Sequence, residues 1–253
     1  MKPRDEIRDL CTAFLEGLES ILGAKLHAVY LYGAVTFPET DYTGDVDFHV
    51  IVTGPPTEAE RAALLGLHDR LAREFPPLGA ELDGYYILLT ESHRSERPRH
   101  LLFPDIVDDS WALHRAHILA GRVIVLHGPD PRTIYAAPSW PEIDDALRGE
   151  LDYVEAHLAQ YPAYCVLNLC RLMYSHETGD VVTSKAAAAA WGLEHLPAWR
   201  SLIEAARRSY AHEDTAEDRA ALSRDVRSFY GFGCAHIAAL SGKGLSARRR
   251  GER

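Results

Sequence analysis

The chain has 253 residues, 47% apolar and 25% charged, ordinary values for a globular protein and enough for one large domain or two modest ones. Net charge is −10, and the last eleven residues, Lys243 to Arg253, hold five basic side chains and one acidic, leaving −14 on the rest; this argues against nucleic acid as the main partner. No run approaches the roughly 18 apolar residues of a membrane span, Met1 to Glu6 is charged rather than signal-like, and the four cysteines show neither a CxxC pair nor a zinc spacing, so a cytoplasmic monomer with no membrane partner is expected.

In chain order, Ile7, Leu10, Cys11, Phe14, Leu15, Leu18 and Leu22 recur at helical spacing and predict a helix over 5–22. Leu26 to Tyr32 reads as a buried strand, and a second strand opens at Asp45 after a loop. Thr57 and Glu60 form a capping box for a helix reaching about Phe75, where Pro76-Pro77 stops it. Leu82 to Leu89 predicts a third strand, 105–121 a helix, and Arg122 to Leu126 a fourth strand closed by Gly128-Pro129-Asp130-Pro131.

Beyond about Ile134 the strand signal disappears. Ser139 and Glu142 cap a helix, Tyr164 to Thr178 makes a second with Gly179 after it, and Ser184 caps a third over Lys185–His195. Two more follow near 198–210 and 216–240. The pattern is α+β: a mixed-sheet domain over 1–135, a helical bundle over 139–241, and a basic tail, 242–253, without periodicity and expected to be disordered.

The chemistry concentrates between Leu31 and Val52. Gly33 ends an apolar strand, where a missing Cβ lets the backbone approach a phosphate, with Ala34 beside it. Asp45 and Asp47 stand two apart in a strand, so their carboxylates share a face. Two such carboxylates repel unless a cation lies between them, and oxygen-only ligation suits Mg²⁺ with substrate phosphates. A third carboxylate from a neighbouring strand would complete the shell, and Asp83 and Glu81 are both candidates, with Asp83 favoured because it opens an apolar strand beside Gly84. His49 shares the face of Asp45 and Asp47, while His114 and His117 stand three apart on one helix.

Strand–Gly33–loop–Asp45-Val46-Asp47 resembles the signature of the polymerase-beta-like nucleotidyltransferases, which usually carry serine where this chain has Ala34. Leu82-Asp83-Gly84-Tyr85-Tyr86-Ile87 and the run Val166-Leu167-Asn168-Leu169-Cys170-Arg171, continuing to Tyr174, Thr178-Gly179, Ser184-Lys185 and Trp191, are similar to the streptomycin/spectinomycin adenylyltransferase branch of aminoglycoside nucleotidyltransferases. The resemblance, over about residues 25 to 240, implies an antibiotic-resistance enzyme moving AMP from ATP to an aminoglycoside hydroxyl and releasing pyrophosphate. It implies Asp45, Asp47 and Asp83 on Mg²⁺, with Asp83 also activating the acceptor. Gly33 and Ala34 would cradle phosphates, and Lys185 and Arg171 would bind them from the helical domain. Relatives place acidic residues for the drug where this chain reads Ala159-Gln160-Tyr161-Pro162-Ala163, so another small acceptor is the alternative. A degenerate, non-catalytic nucleotide-binding protein is a further one.

Overall fold

The computed structural model describes residues 5–38 and 45–251. The chain divides into two compact units, Met1–Ala146 and Leu147–Arg253. The division falls inside a helix rather than in the Pro-rich stretch 129–141. That helix begins at Trp140, and its first turns are tied to the N-terminal unit by Arg115–Glu142 and Arg97–Asp145 ion pairs.

The N-terminal unit is built on a four-stranded sheet in the order β3-β2-β1-β4. Its strands are β1 (Leu26–Leu31), β2 (Val46–Val52), β3 (Leu82–Leu88) and β4 (Ile124–His127). β1 runs antiparallel to both β2 and β4, and β2 runs parallel to β3, so the sheet is mixed as expected. The α+β class read from the sequence is the class observed.

The two faces of the sheet have different jobs. One carries Val29, Leu31, Val46, Phe48, Val50 and Val52 against helices α1 (Asp5–Leu22) and α2 (Glu58–Glu74), which supply Phe14, Leu18, Leu64 and Leu71. The other carries Ala28, Tyr30, Tyr32, Ile51 and Ile87, packed with Trp111 and Ile118. Because strand side chains alternate, Asp47 and His49 stand with Ile51 on this second face, and Asp83 with Ile87. The Thr57–Glu60 capping box forms, with each side chain bonded to the other's backbone N–H.

A single turn, α3 (Leu89–Ser92), follows β3. Helix α4 covers only Trp111–Leu119 of the expected 105–121. The residues before it are irregular: His100 N–H donates to the Ile106 carbonyl at 3.1 Å, and the Asp108 carboxylate accepts from Ser110 N–H at 3.1 Å. Helix α5 (Trp140–His157) then leads from the first unit into the second.

The C-terminal unit is helical: α6 (Pro162–Thr178), α7 (Lys185–His195), α8 (Arg200–Tyr210) and α9 (Ala216–Gly251). Cys165 to Leu172 of α6 are buried on nearly every side, which places α6 at the centre with α7, α8 and α9 around it. Gly179 closes α6 in the left-handed region at φ 75°, and the Ser184 hydroxyl accepts from Ala187 N–H at 3.0 Å to open α7. α9 keeps helical backbone to Gly251, over most of the segment expected to lack structure. None of the described helices is long and apolar enough to cross a membrane.

Candidate active site

β1 ends at Leu31, and Tyr32 N–H still pairs with the Asp47 carbonyl at 3.0 Å. The chain then turns away through a 3-10 segment, Gly33–Thr36, closed by the Thr36 hydroxyl on the Gly33 carbonyl at 2.8 Å. Gly33 is required twice over. Its φ is 67°, and a Cβ built there would lie 1.7 Å from Asp47 Oδ2. The Asp47 carboxylate therefore rests against bare backbone at the start of the turn that carries Ala34. Residues 39–44 of the loop lie outside the described residues.

Asp45 is exposed just before β2, and Asp47 is half-buried within it. The parallel register sets Asp47 directly opposite Asp83. Gly84, next to Asp83, is pressed onto β2: a Cβ there would stand 2.0 Å from the Phe48 carbonyl oxygen. Partial burial and the Asp45 carboxylate push the pKa of Asp83 above the usual carboxylate range, although its side chain remains open to solvent. Glu81 is pushed up as well, by burial and by Asp45, with which it shares a hydrogen bond. Asp45, Glu81 and Asp83 thus crowd one another at the β2–β3 edge, with Asp47 in the same row. The donor set is oxygen only, and the mutual repulsion is what a divalent cation relieves, so the residues fit Mg²⁺.

Directly behind this row the chemistry changes. His49 is fully buried, with its Nδ1 3.0 Å from the Tyr135 hydroxyl and its Nε2 3.6 Å from Asp108 Oδ2. His114 Nδ1 lies 2.9 Å from the same Asp108 oxygen and 3.3 Å from the Tyr32 hydroxyl. Burial holds His49 neutral, with its pKa lowered to about 4 against the pull of Asp108. Burial alone would raise Asp108, but His114 and His49 overcome it and hold the carboxylate ionised. His114 and His117, three apart on the helix, go to different surroundings. His117 is buried against the Phe37 ring at 5.7 Å, and His114 joins His49 and Asp108 instead.

In the C-terminal unit, Lys185 opens α7 behind its Ser184 cap, as its sequence position predicts. Its ammonium donates to the Tyr210 hydroxyl at 3.0 Å and lies 4.8 Å from the centre of the Tyr164 ring. Arg171 on α6 is half-buried, not enclosed as its apolar neighbours in sequence suggest, and its charge lies near enough to Tyr164 to oppose the burial that raises that phenol. Lys185 and Arg171 therefore flank one tyrosine. Asp108 and Tyr210 were not singled out from the sequence: Asp108-Asp109-Ser110 has the composition of a helix start, and Tyr210 sits 25 residues after Lys185 with no local pattern linking them.

The fold has a solved counterpart. A solved structure of spectinomycin adenyltransferase AAD(9) from Enterococcus faecialis, determined with ATP and spectinomycin, matches it with a TM-score of 0.71 over 91% of this chain and 98% of that one, at 15% identity. The helical half is more specific: residues 140–236 match the family model described as "Aminoglycoside adenylyltransferase, C-terminal domain". The resemblance read from Val166–Arg171 and Ser184-Lys185 thus agrees with the comparison: residues 140–236 are similar to the C-terminal domain of aminoglycoside adenylyltransferases, and the chain shares its fold with AAD(9).

Proposed function

We propose that this chain transfers AMP from ATP to a hydroxyl of an aminoglycoside and releases pyrophosphate. The observation that carries the proposal is Asp47 opposite Asp83 in the β2–β3 register, with the Gly33 backbone against the Asp47 carboxylate. Asp45, Asp47 and Asp83 would hold Mg²⁺, which supplies charge neutralisation to the triphosphate when bound. Gly33 and Ala34 offer backbone to a phosphate at a place where a side chain would collide with Asp47. Asp83, opposite Asp47 in the register and open to solvent, is the group placed to accept the proton of the acceptor hydroxyl. Glu81, bonded to Asp45, is the alternative third carboxylate. Lys185 and Arg171 supply positive charge for the phosphates, with Tyr210 and Tyr164 fixing the lysine head.

One observation favours a different acceptor. Residues 159–163 carry no carboxylate; their exposed Tyr161 ring, and that of Tyr153 on α5, stack on His157 at 5.9 and 4.0 Å. That surface suits a less cationic molecule. The deciding experiment is pyrophosphate release from ATP and Mg²⁺ against a panel containing spectinomycin, streptomycin and uncharged polyols, with product mass checked for one added AMP. Turnover with an aminoglycoside establishes the proposal. Turnover with polyols alone transfers it to the second reading, and ATP binding without any turnover overturns both.

A further inference from the structure

We propose that His49, Asp108 and His114 form a second metal site, for a transition-metal dication such as Zn²⁺, separate from the carboxylates that would hold Mg²⁺. One ligand atom from each residue lies within 4.8 Å of the other two. The two measured separations from Asp108 Oδ2, 2.9 and 3.6 Å, bracket the spacing of about 3.3 Å set by bonds of about 2 Å at tetrahedral angles. Two imidazole nitrogens with one carboxylate oxygen make a donor set that selects borderline metals, whereas all-oxygen sets select Mg²⁺.

The independent sign of a missing ligand is His49 Nε2. It is completely buried and points at Asp108 Oδ2 from 3.6 Å, just beyond hydrogen-bond distance, with no closer partner. A buried nitrogen left unpaired is costly, and a metal bond would satisfy it. The surroundings also follow the logic of a metal site, in which each ligand is fixed from behind by an outer partner. The far nitrogen of His49 meets the Tyr135 hydroxyl, and the other oxygen of Asp108 accepts from Ser110 N–H. The Tyr32 hydroxyl, 3.3 Å from His114 Nδ1, brings an oxygen to a fourth side. His114 is the one ligand with solvent access, its side chain 23% exposed, and is therefore the route of entry. All three ligands belong to the first unit, two of them on β2 and α4, so the pocket is set by packed elements.

The test uses the full-length chain stripped with a chelator. Zn²⁺ binding is measured by equilibrium dialysis in excess Mg²⁺, and Co²⁺ is added separately to read the visible bands of a low-coordinate site. One equivalent of Zn²⁺ and those bands are expected. Asp47→Asn should retain both, while His114→Gln, a change at the partly exposed ligand, should weaken Zn²⁺ at least tenfold with the circular dichroism spectrum unchanged. His49→Gln gives the same loss through the buried ligand. Absence of stoichiometric Zn²⁺, unchanged affinity in His114→Gln, or loss of the ion in Asp47→Asn alone would each overturn the proposal. No arm reads catalysis, so failure here is separable from failure of the adenylyl-transfer reading.

Discussion

Two groups of ionisable side chains in the N-terminal unit follow opposite rules. At the open β2–β3 edge, Asp45, Glu81 and Asp83 stand together, and the cited shifts of Glu81 and Asp83 are both upward. A few residues deeper, charges are balanced: Asp108 is held by His114, and the buried Arg115 guanidinium donates to the Glu142 carboxylate and to the Ala136 carbonyl at 3.0 Å. A fold that neutralises its interior charges yet leaves carboxylates crowded at one edge is bearing a local cost there. Such a cost is characteristic of a functional site rather than of a structural ion pair. The comparison predicts that the edge governs activity and the interior governs stability.

The largest expected effect is at the edge. Asp47→Asn keeps the shape and removes the charge. It should lower AMP transfer by ~10³-fold, about 4 kcal/mol of barrier, while leaving the melting temperature unchanged or slightly higher. A variant that transfers AMP at the normal rate would break the comparison.

The interior counterpart is Arg115→Met. It strips the partner from Glu142 and should cost about 3 kcal/mol of stability, read by urea unfolding, with little effect on transfer in the folded fraction. The pH dependence has a definite sign. Burial alone would raise Glu142, but the Ser139 N–H and hydroxyl, and then Arg115, hold its pKa down to about 2. A depressed carboxyl contributes stability that is fully present above the ordinary carboxylate range and is lost as pH falls from about 4.5 to about 2. The wild type should lose stability across that window, and Arg115→Met should lose less of it.

The edge was readable in sequence because its geometry is local. Strand alternation puts Asp47 on the second face of the sheet with Asp45 just ahead of the strand, and a glycine after β1 marks where backbone must meet a side chain. Helix ends were readable for the same reason: Ser184 and Gly179 in the C-terminal unit and the Thr57–Glu60 box in the N-terminal one act within one turn. The interior was not readable. Asp108 reaches His49 and His114 only after α4 packs on the sheet, and an i,i+3 histidine pair gives no sign that His117 will turn to Phe37. The half-burial of Arg171 likewise depends on what α6 meets, which its own apolar neighbours do not state.

A smaller effect is expected from the C-terminal unit. Lys185→Ala should raise the KM for ATP about tenfold, the change that removing the proposed charge-assisted contact to phosphate would produce. Tyr210→Phe removes only the hydroxyl that takes one lysine hydrogen bond at 3.0 Å, and should raise it two- to threefold, on the order of 0.5 kcal/mol. Equal effects from the two would mean that Tyr210 itself meets the nucleotide rather than positioning the lysine.

The last test probes the edge by gain rather than loss. Ala34 follows Gly33 in the turn against Asp47, where the signature that this stretch resembles usually carries serine. Its carbonyl accepts from Phe37 N–H at 3.1 Å, and its side chain is half-buried, so a hydroxyl can be added without displacing a bond the turn depends on. If a phosphate oxygen comes to this turn, Ala34→Ser adds one donor to it and should raise kcat/KM for ATP about threefold to tenfold, equivalent to roughly 1 kcal/mol. The gain should disappear in the Asp47→Asn background, where the metal that brings the phosphate to the turn is weakened. An additive gain in that background would mean that the serine acts on folding of the turn and not on the nucleotide.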